Sequence, residues 1–318
     1  MKDKTGVGSA IGKIILIGEH SVVYGQPAIA IPFKGTNIKT TISRYEGPVL
    51  LECFFYDGLF SNAADKMLGL RSVIKAIVAS FGEELKDFSI KIESSIPPER
   101  GMGSSAAVAI ATVRALYDYF DQELGNEDLL KWSNVSEEIV HGNPSGLDAA
   151  IISGERALYY IKGQDFVAFD FKLDAYLIVA DTGENGQTKA AVDGVRQLIQ
   201  SNCEYGQGLV KELGILTNDA KIFIESNNIE SLGKTMTKAH YLLDKLSVSN
   251  GLLNQLVDLA LDSGALGAKL TGGGRGGCII ALARDEEGAN IISARLLSAG
   301  AKNTWISNMG VDEFDRKG

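Results

Sequence analysis

Histidine and cysteine are scarce in this chain, three of each in 318 residues. His20, His141 and His240 are widely scattered and no His-Glu-x-x-His occurs, which excludes a histidine-built metal cluster. Cys53, Cys203 and Cys278 form no Cys-x-x-Cys pair. That spacing suggests neither a zinc site nor a disulfide framework, and free thiols fit a reducing compartment. Basic charge is short as well: 31 Lys and Arg stand against 40 Asp and Glu, a net charge of −9. Nucleic acid needs a basic face and a polybasic anchor needs a basic run, so both partners are disfavoured. An anionic small substrate is not, because a local pocket can oppose the global sign. No apolar run approaches the ~20 residues of a membrane span, and MKDKTGVGSAIGK has no apolar signal core. The expectation is a cytoplasmic protein without nucleic-acid or membrane partners.

Glycine is plentiful: 36 residues, clustered at 6–12, 101–103, 142–146, 183–186 and 272–277. Such clusters mark backbone that turns tightly or closely approaches something. Between them the pattern is mixed. Ile14–Ile17, Val49–Phe55, 88–93, 157–161 and 176–180 read as strands, and 66–81, 104–120 and 126–140 as helices. From about residue 187 helices dominate, at 187–201, 206–225, 228–245 and 250–263. Strands near 266–270, 276–283 and 301–307 and a helix at 287–299 close the chain. This is an α+β layout of two domains, with the boundary placed at residue 170, giving 1–170 and 171–318.

The sharpest local chemistry is Pro97-Pro-Glu-Arg-Gly-Met-Gly-Ser-Ser-Ala-Ala107. A strand ends, the chain turns on glycines, and a helix begins at Ser104. The first turn of a helix exposes unpaired N–H groups and the positive end of its dipole, so the loop reads as an anion cradle. Ser105 would offer a hydroxyl to magnesium, which prefers oxygen. The loop is not a Walker A sequence, since no Gly-Lys-Ser/Thr ends it. It also matches Gly-x-Gly-x-x-Ala, but four residues, Pro97 to Arg100, separate strand from glycines, unlike a dinucleotide turn. A plain capped helix is the other reading.

Other residues stand out less by themselves. Lys13 at an apolar strand reads as a snorkelling surface side chain, and Glu19-His20 as a solvated turn. Glu137 and His141 share a helix face, followed by a Gly142–Gly146 turn. Asp148 is a lone carboxylate in an apolar run, either functional or a helix cap. Thr188 and Lys189 lie near a helix start, and LysLeuThrGlyGlyGlyArgGlyGlyCys (269–278) packs five glycines into six positions.

Three segments in order, GKIILIGEHSVVYGQPAIA (12–30), PPERGMGSSAA (97–107) and KLTGGGRGGC (269–278), resemble the GHMP family of small-molecule kinases over nearly the whole chain. GEHSVVYGQPAIA and HGNPSGLDAA are similar to the branch of that family that acts on mevalonate. The resemblance implies a two-domain α+β GHMP kinase-like fold with its active site in the interdomain cleft. It implies ATP and Mg2+ as cofactors and phosphorylation of the 5-hydroxyl of mevalonate. By position, Asp148 and Lys13 resemble the catalytic pair. Gly101, Met102, Gly103, Ser104, Ser105 and Ala106 resemble the phosphate cradle, and Ser105 and Glu137 the magnesium ligands. His20, Glu19 and Thr188 resemble substrate contacts. Many relatives are homodimers, which is the partner state implied. One departure is Gly186, where some relatives carry an Arg. A kinase of another alcohol, a non-catalytic ATP or metabolite sensor, and a nucleotide-linked oxidoreductase are the alternatives.

Overall fold

The computed structural model describes residues 4–141 and 146–310, without the side chains of Val140 and His141. Contacts divide the chain into two compact units. The first takes the described residues within Met1–Lys13, Pro32–Pro98 and Gly103–Glu155, and the second those within Ile14–Ile31, Glu99–Met102 and Arg156–Gly318.

In the first unit, β3 (Leu50–Cys53), β4 (Tyr56–Leu59) and β5 (Lys86–Ser94) pair in the order β4-β3-β5. The later part of β2 (Pro27–Pro48) adds to β5 antiparallel, setting Ile42 opposite Ile90. From Thr36 to Ile42 every second residue of β2 is buried, the period that gives a sheet one wet and one dry face. Four helices complete the unit: α1 (Leu68–Ser80), α2 (Ser104–Tyr119), α3 (Asn126–His141) and α4 (Leu147–Gly154). Helix α2 is alanine-rich, so it forms readily and offers little bulk to its neighbours. It is buried on nearly every side and touches α1, α3 and α4. Strand β1 (Thr5–Ile17) runs against it so closely that a Cβ on Gly8 would lie 2.1 Å from the Ala111 carbonyl. The glycines at 6 and 8 therefore serve close approach along a strand, not a turn.

In the second unit, Pro27–Ala30 pairs antiparallel with β6 (Ala157–Ile161), which pairs with β7 (Val167–Phe169). A separate antiparallel sheet has the order β11-β8-β10-β9, from β8 (Tyr176–Asp181), β9 (Gly267–Thr271), β10 (Cys278–Ala283) and β11 (Asn303–Asn308). All of β9 and β10 is buried; β10 reads as a continuous apolar run, whereas β9 carries Lys269 and Thr271 into the interior. The helices are α5 (Thr188–Ser201), α6 (Cys203–Glu225), α7 (Ile229–Lys245), α8 (Gly251–Asp262) and α9 (Glu286–Ser298). Helices α6 to α9 each start on an Asn or Asp side chain that accepts a backbone N–H, a cap worth about 1 kcal/mol. Helices α2, α4 and α5 start without any such cap. These three helices carry the candidate residues Ser105, Asp148 and Thr188, whereas α1, which also lacks a side-chain cap, carries none. No described helix is long and apolar enough to cross a membrane.

Candidate active site

The loop between β5 and α2 is held in an uncommon backbone. Glu99, Gly101 and Gly103 all have positive φ, at 59°, 76° and 72°. Glycine is required at 103 on two counts: its φ, and a Cβ there would come 2.8 Å from Lys13 Cγ. Gly103 is the N-cap of α2, and the first helical bond runs from the Ala107 N–H to its carbonyl at 3.0 Å. The N–H groups of Ser104, Ser105 and Ala106 thus have no partner within the helix. Both serines are partly exposed, whereas Met102 and Ala106 are buried and hold the loop by packing. The division between the units falls inside this loop, after Met102.

In the first unit, Lys13 Nζ lies 3.1 Å from Asp148 Oδ1. The lysine side chain is 6% exposed and the aspartate 32%. Lys13 is therefore no snorkelling surface residue: its ammonium is carried inward to one carboxylate. Asp148 is not the cap of α4 either, because Gly146 holds that position with φ 74°. It stands in the first turn of α4, in the ion pair with Lys13. Glu137 is buried on α3, the neighbour of α2, whose first turn holds Ser105. The His141 side chain and the turn at 142–145 lie outside the described residues.

In the second unit, three distant segments meet at Gly273. His20 Nε2 is 3.0 Å from the Gly273 carbonyl, so this nitrogen carries the proton and donates. A Cβ on Gly273 would fall 1.9 Å from Thr188 Oγ1, which leaves only glycine there. His20 has φ 60° and ψ −42°, a strained backbone that only tight surroundings maintain. Burial pushes its imidazole below the usual histidine range. The structure places Glu19 with its carboxylate on Lys269 Nζ, both side chains sealed at 1% and 0% exposure. Lys269 also donates to the Leu270 carbonyl at 2.6 Å. Thr188 and Lys189, by contrast, are exposed at the uncapped start of α5. Sequence reasoning missed Lys269 as a partner, although a lone lysine in an apolar strand is a signal of a buried counter-charge. It also missed Arg100 and Asp181, a part-buried ion pair at 2.7 Å.

Residues 70–155 match the GHMP kinases N terminal domain and residues 220–302 the GHMP kinases C terminal domain. The mevalonate kinase of Pyrococcus abyssi is 34% identical, with 96% of each chain covered. Among solved structures, mevalonate kinase from methicillin-resistant Staphylococcus aureus superimposes with a TM-score of 0.78 at 34% identity, covering 97% of this chain and all of that one. The L. major mevalonate kinase, solved in complex with R-mevalonate, gives a TM-score of 0.83 at 24% identity over 98% of both chains, a likeness of fold.

Proposed function

The chain belongs to the GHMP kinases, and on that premise we propose that it transfers the γ-phosphoryl group of ATP to the 5-hydroxyl of mevalonate, giving 5-phosphomevalonate and ADP. The observation that carries this reading is the Lys13–Asp148 pair. One member is buried and the other is one-third exposed, so the carboxylate is both oriented and reachable.

Phosphoryl transfer is mainly positioning and charge stabilisation. Asp148 Oδ accepts the proton of the attacking hydroxyl, or orients that hydroxyl if the transition state is loose. Lys13 stabilises the carboxylate and the charge that develops on the hydroxyl oxygen. The open N–H groups of Ser104 to Ala106 hold phosphate oxygens at the positive end of α2. In the second unit, His20 and Thr188 are the proposed polar contacts of the substrate, and Glu19 holds its neighbour His20 in place through Lys269.

No group of three or more His, Cys, Asp or Glu gathers to hold a metal among the described residues. The Ser105 hydroxyl and Glu137 carboxylate are hard oxygen donors, and two protein oxygens with nucleotide phosphates suit magnesium. These residues fit the ion, which when bound would neutralise phosphate charge. In family terms we take 1–170 as the N-terminal domain and 171–318 as the C-terminal domain.

A coupled ADP-release assay with magnesium-ATP and a panel of mevalonate, phosphomevalonate, homoserine and galactose tests the reading. ADP release with mevalonate alone, and a 5-phosphate by phosphorus NMR, is the expected result. Turnover with another alcohol, or a phosphate on another hydroxyl, would discard the substrate and point to Gly186, where the expected Arg is absent.

A further inference from the structure

The first half of the glycine loop is fastened by a side chain that the reaction itself leaves idle. Arg100 Nε donates to Asp181 Oδ1 at 2.7 Å. One terminal nitrogen donates to Asn185 Oδ1, and the other to the Gly183 carbonyl at 3.0 Å. The same Asp181 oxygen takes the Gly183 N–H at 2.9 Å. Glu99 closes the opposite side: its Oε2 accepts from Asn185 Nδ2 at 2.6 Å and its carbonyl accepts the Gly186 N–H at 3.3 Å. Residues 99 and 100 are thus bound by side chain and backbone to segment 181–186, which joins β8 to α5. All of these residues lie in the second unit.

Two features separate this network from a surface ion pair. The Arg100 and Asp181 side chains are only 12% and 4% exposed, so neither charge is screened by water. A guanidinium fork that serves three acceptors at once also fixes its own backbone, which a lysine cannot do. That backbone is the one in need of holding, because positive φ at Glu99 and Gly101 is sparsely populated and relaxes unless its surroundings oppose it. Below it, Gly101 lies against Gly272, where a Cβ on either would come 3.2–3.3 Å from the other's Cα. Each of the three Arg100 nitrogens already serves a protein acceptor and Asp181 neutralises the charge, so the side chain is committed to this segment and not to phosphate.

We infer that Arg100 and Asp181 are positioning residues for the nucleotide: without touching phosphate, they hold Glu99–Met102 in the shape that keeps the amides at the start of α2 open. This rests on the phosphate-loop reading of residues 101–106. It makes a carboxylate 81 residues away in the chain from Arg100 a determinant of ATP affinity, and it ties the loop to the segment that presents Thr188.

The test uses the full chain with Arg100→Gln, Asp181→Asn and both together. Affinity is read by displacement of a fluorescent ATP analogue, with no alcohol present, and KM, kcat and Tm are measured beside it. Each single change should weaken nucleotide binding about tenfold or more and leave KM for mevalonate within about twofold. The double variant should be no weaker than the worse single, because both remove one interaction. If Arg100→Gln does not fold, Arg100→Lys should give the same weakening, as one ammonium cannot replace the fork. A lowered Tm with unchanged nucleotide affinity would reduce the pair to a structural one and overturn the inference. Weak binding for Arg100→Gln but unchanged or tighter binding for Asp181→Asn would also overturn it, by making Arg100 a direct phosphate ligand. A wild-type chain that binds the analogue but turns over no mevalonate would leave this inference standing and sink only the substrate. A wild-type chain that binds no nucleotide would sink the loop reading, and the inference with it.

Discussion

Two lysine–carboxylate pairs in this protein have the same chemistry and opposite surroundings. In the first unit Lys13 meets Asp148 at 3.1 Å, with the aspartate one-third exposed. In the second unit Lys269 meets Glu19 with both side chains closed off from solvent. The open pair can receive a ligand because one oxygen side of Asp148 still faces water. The sealed pair can receive none. Its charges survive burial only because each is the other's partner and Leu270 supplies a further acceptor. Burial pushes the Lys269 ammonium down while Glu19 pulls it back. Solvent access, not residue type, is what divides a reactive pair from a structural one.

The comparison can be broken from either side. Lys269→Met should have the largest effect on folding, about 3–5 kcal/mol, since it leaves Glu19 charged and buried. Denaturant unfolding measures it. Adding Glu19→Leu should recover part of the loss; a double variant as unstable as the sum of the singles would show that the pair is not a unit. Asp148→Asn should do the reverse. It should lower kcat about a hundredfold or more, equivalent to ~3 kcal/mol, and leave unfolding within about 1 kcal/mol of wild type. Nearly normal kcat would remove Asp148 from the reaction.

A smaller effect reports on the sealed side through acid. His240 is buried and its Nδ1 accepts the Leu270 N–H at 3.3 Å. Burial, and then the charge of Lys269, push its imidazole down to about 4 from 6.5. The folded state therefore binds this proton later than the unfolded state does. The contribution is complete above pH 6.5 and is lost as pH falls from 6.5 towards 4, by about 3 kcal/mol at most. His20 is lowered as well and adds in the same direction. The His240 ring resonance should titrate near 4 by NMR and rise in Lys269→Met. A midpoint near 6.5 in the wild type would contradict the packing around it.

Much of this was readable before any coordinates. Helix α2 announced itself through alanine and the preceding glycines, and Asp148 through the cost of a carboxylate among apolar neighbours. The long strand β2 did not. Prolines at 27, 32 and 48 and Gly35 punctuate it as if it were loop, and prolines inside a strand argue against one. Its alternate burial from Thr36 onward shows only when β5 is beside it.

The order of the three glycine-bearing segments, the helical and strand periods, and the shortage of histidine, cysteine and basic charge are properties of the chain alone. They determined the family resemblance, the α+β class and the identity of the candidate residues, because composition and periodicity act locally. Partnership was decided by the fold. That Lys13 faces Asp148, that Glu19 is sealed on Lys269, and that Arg100 reaches Asp181 across 81 residues depend on which surfaces exclude water. Desolvation is a property of the packed structure and has no trace in the spacing of residues along a strand or a helix.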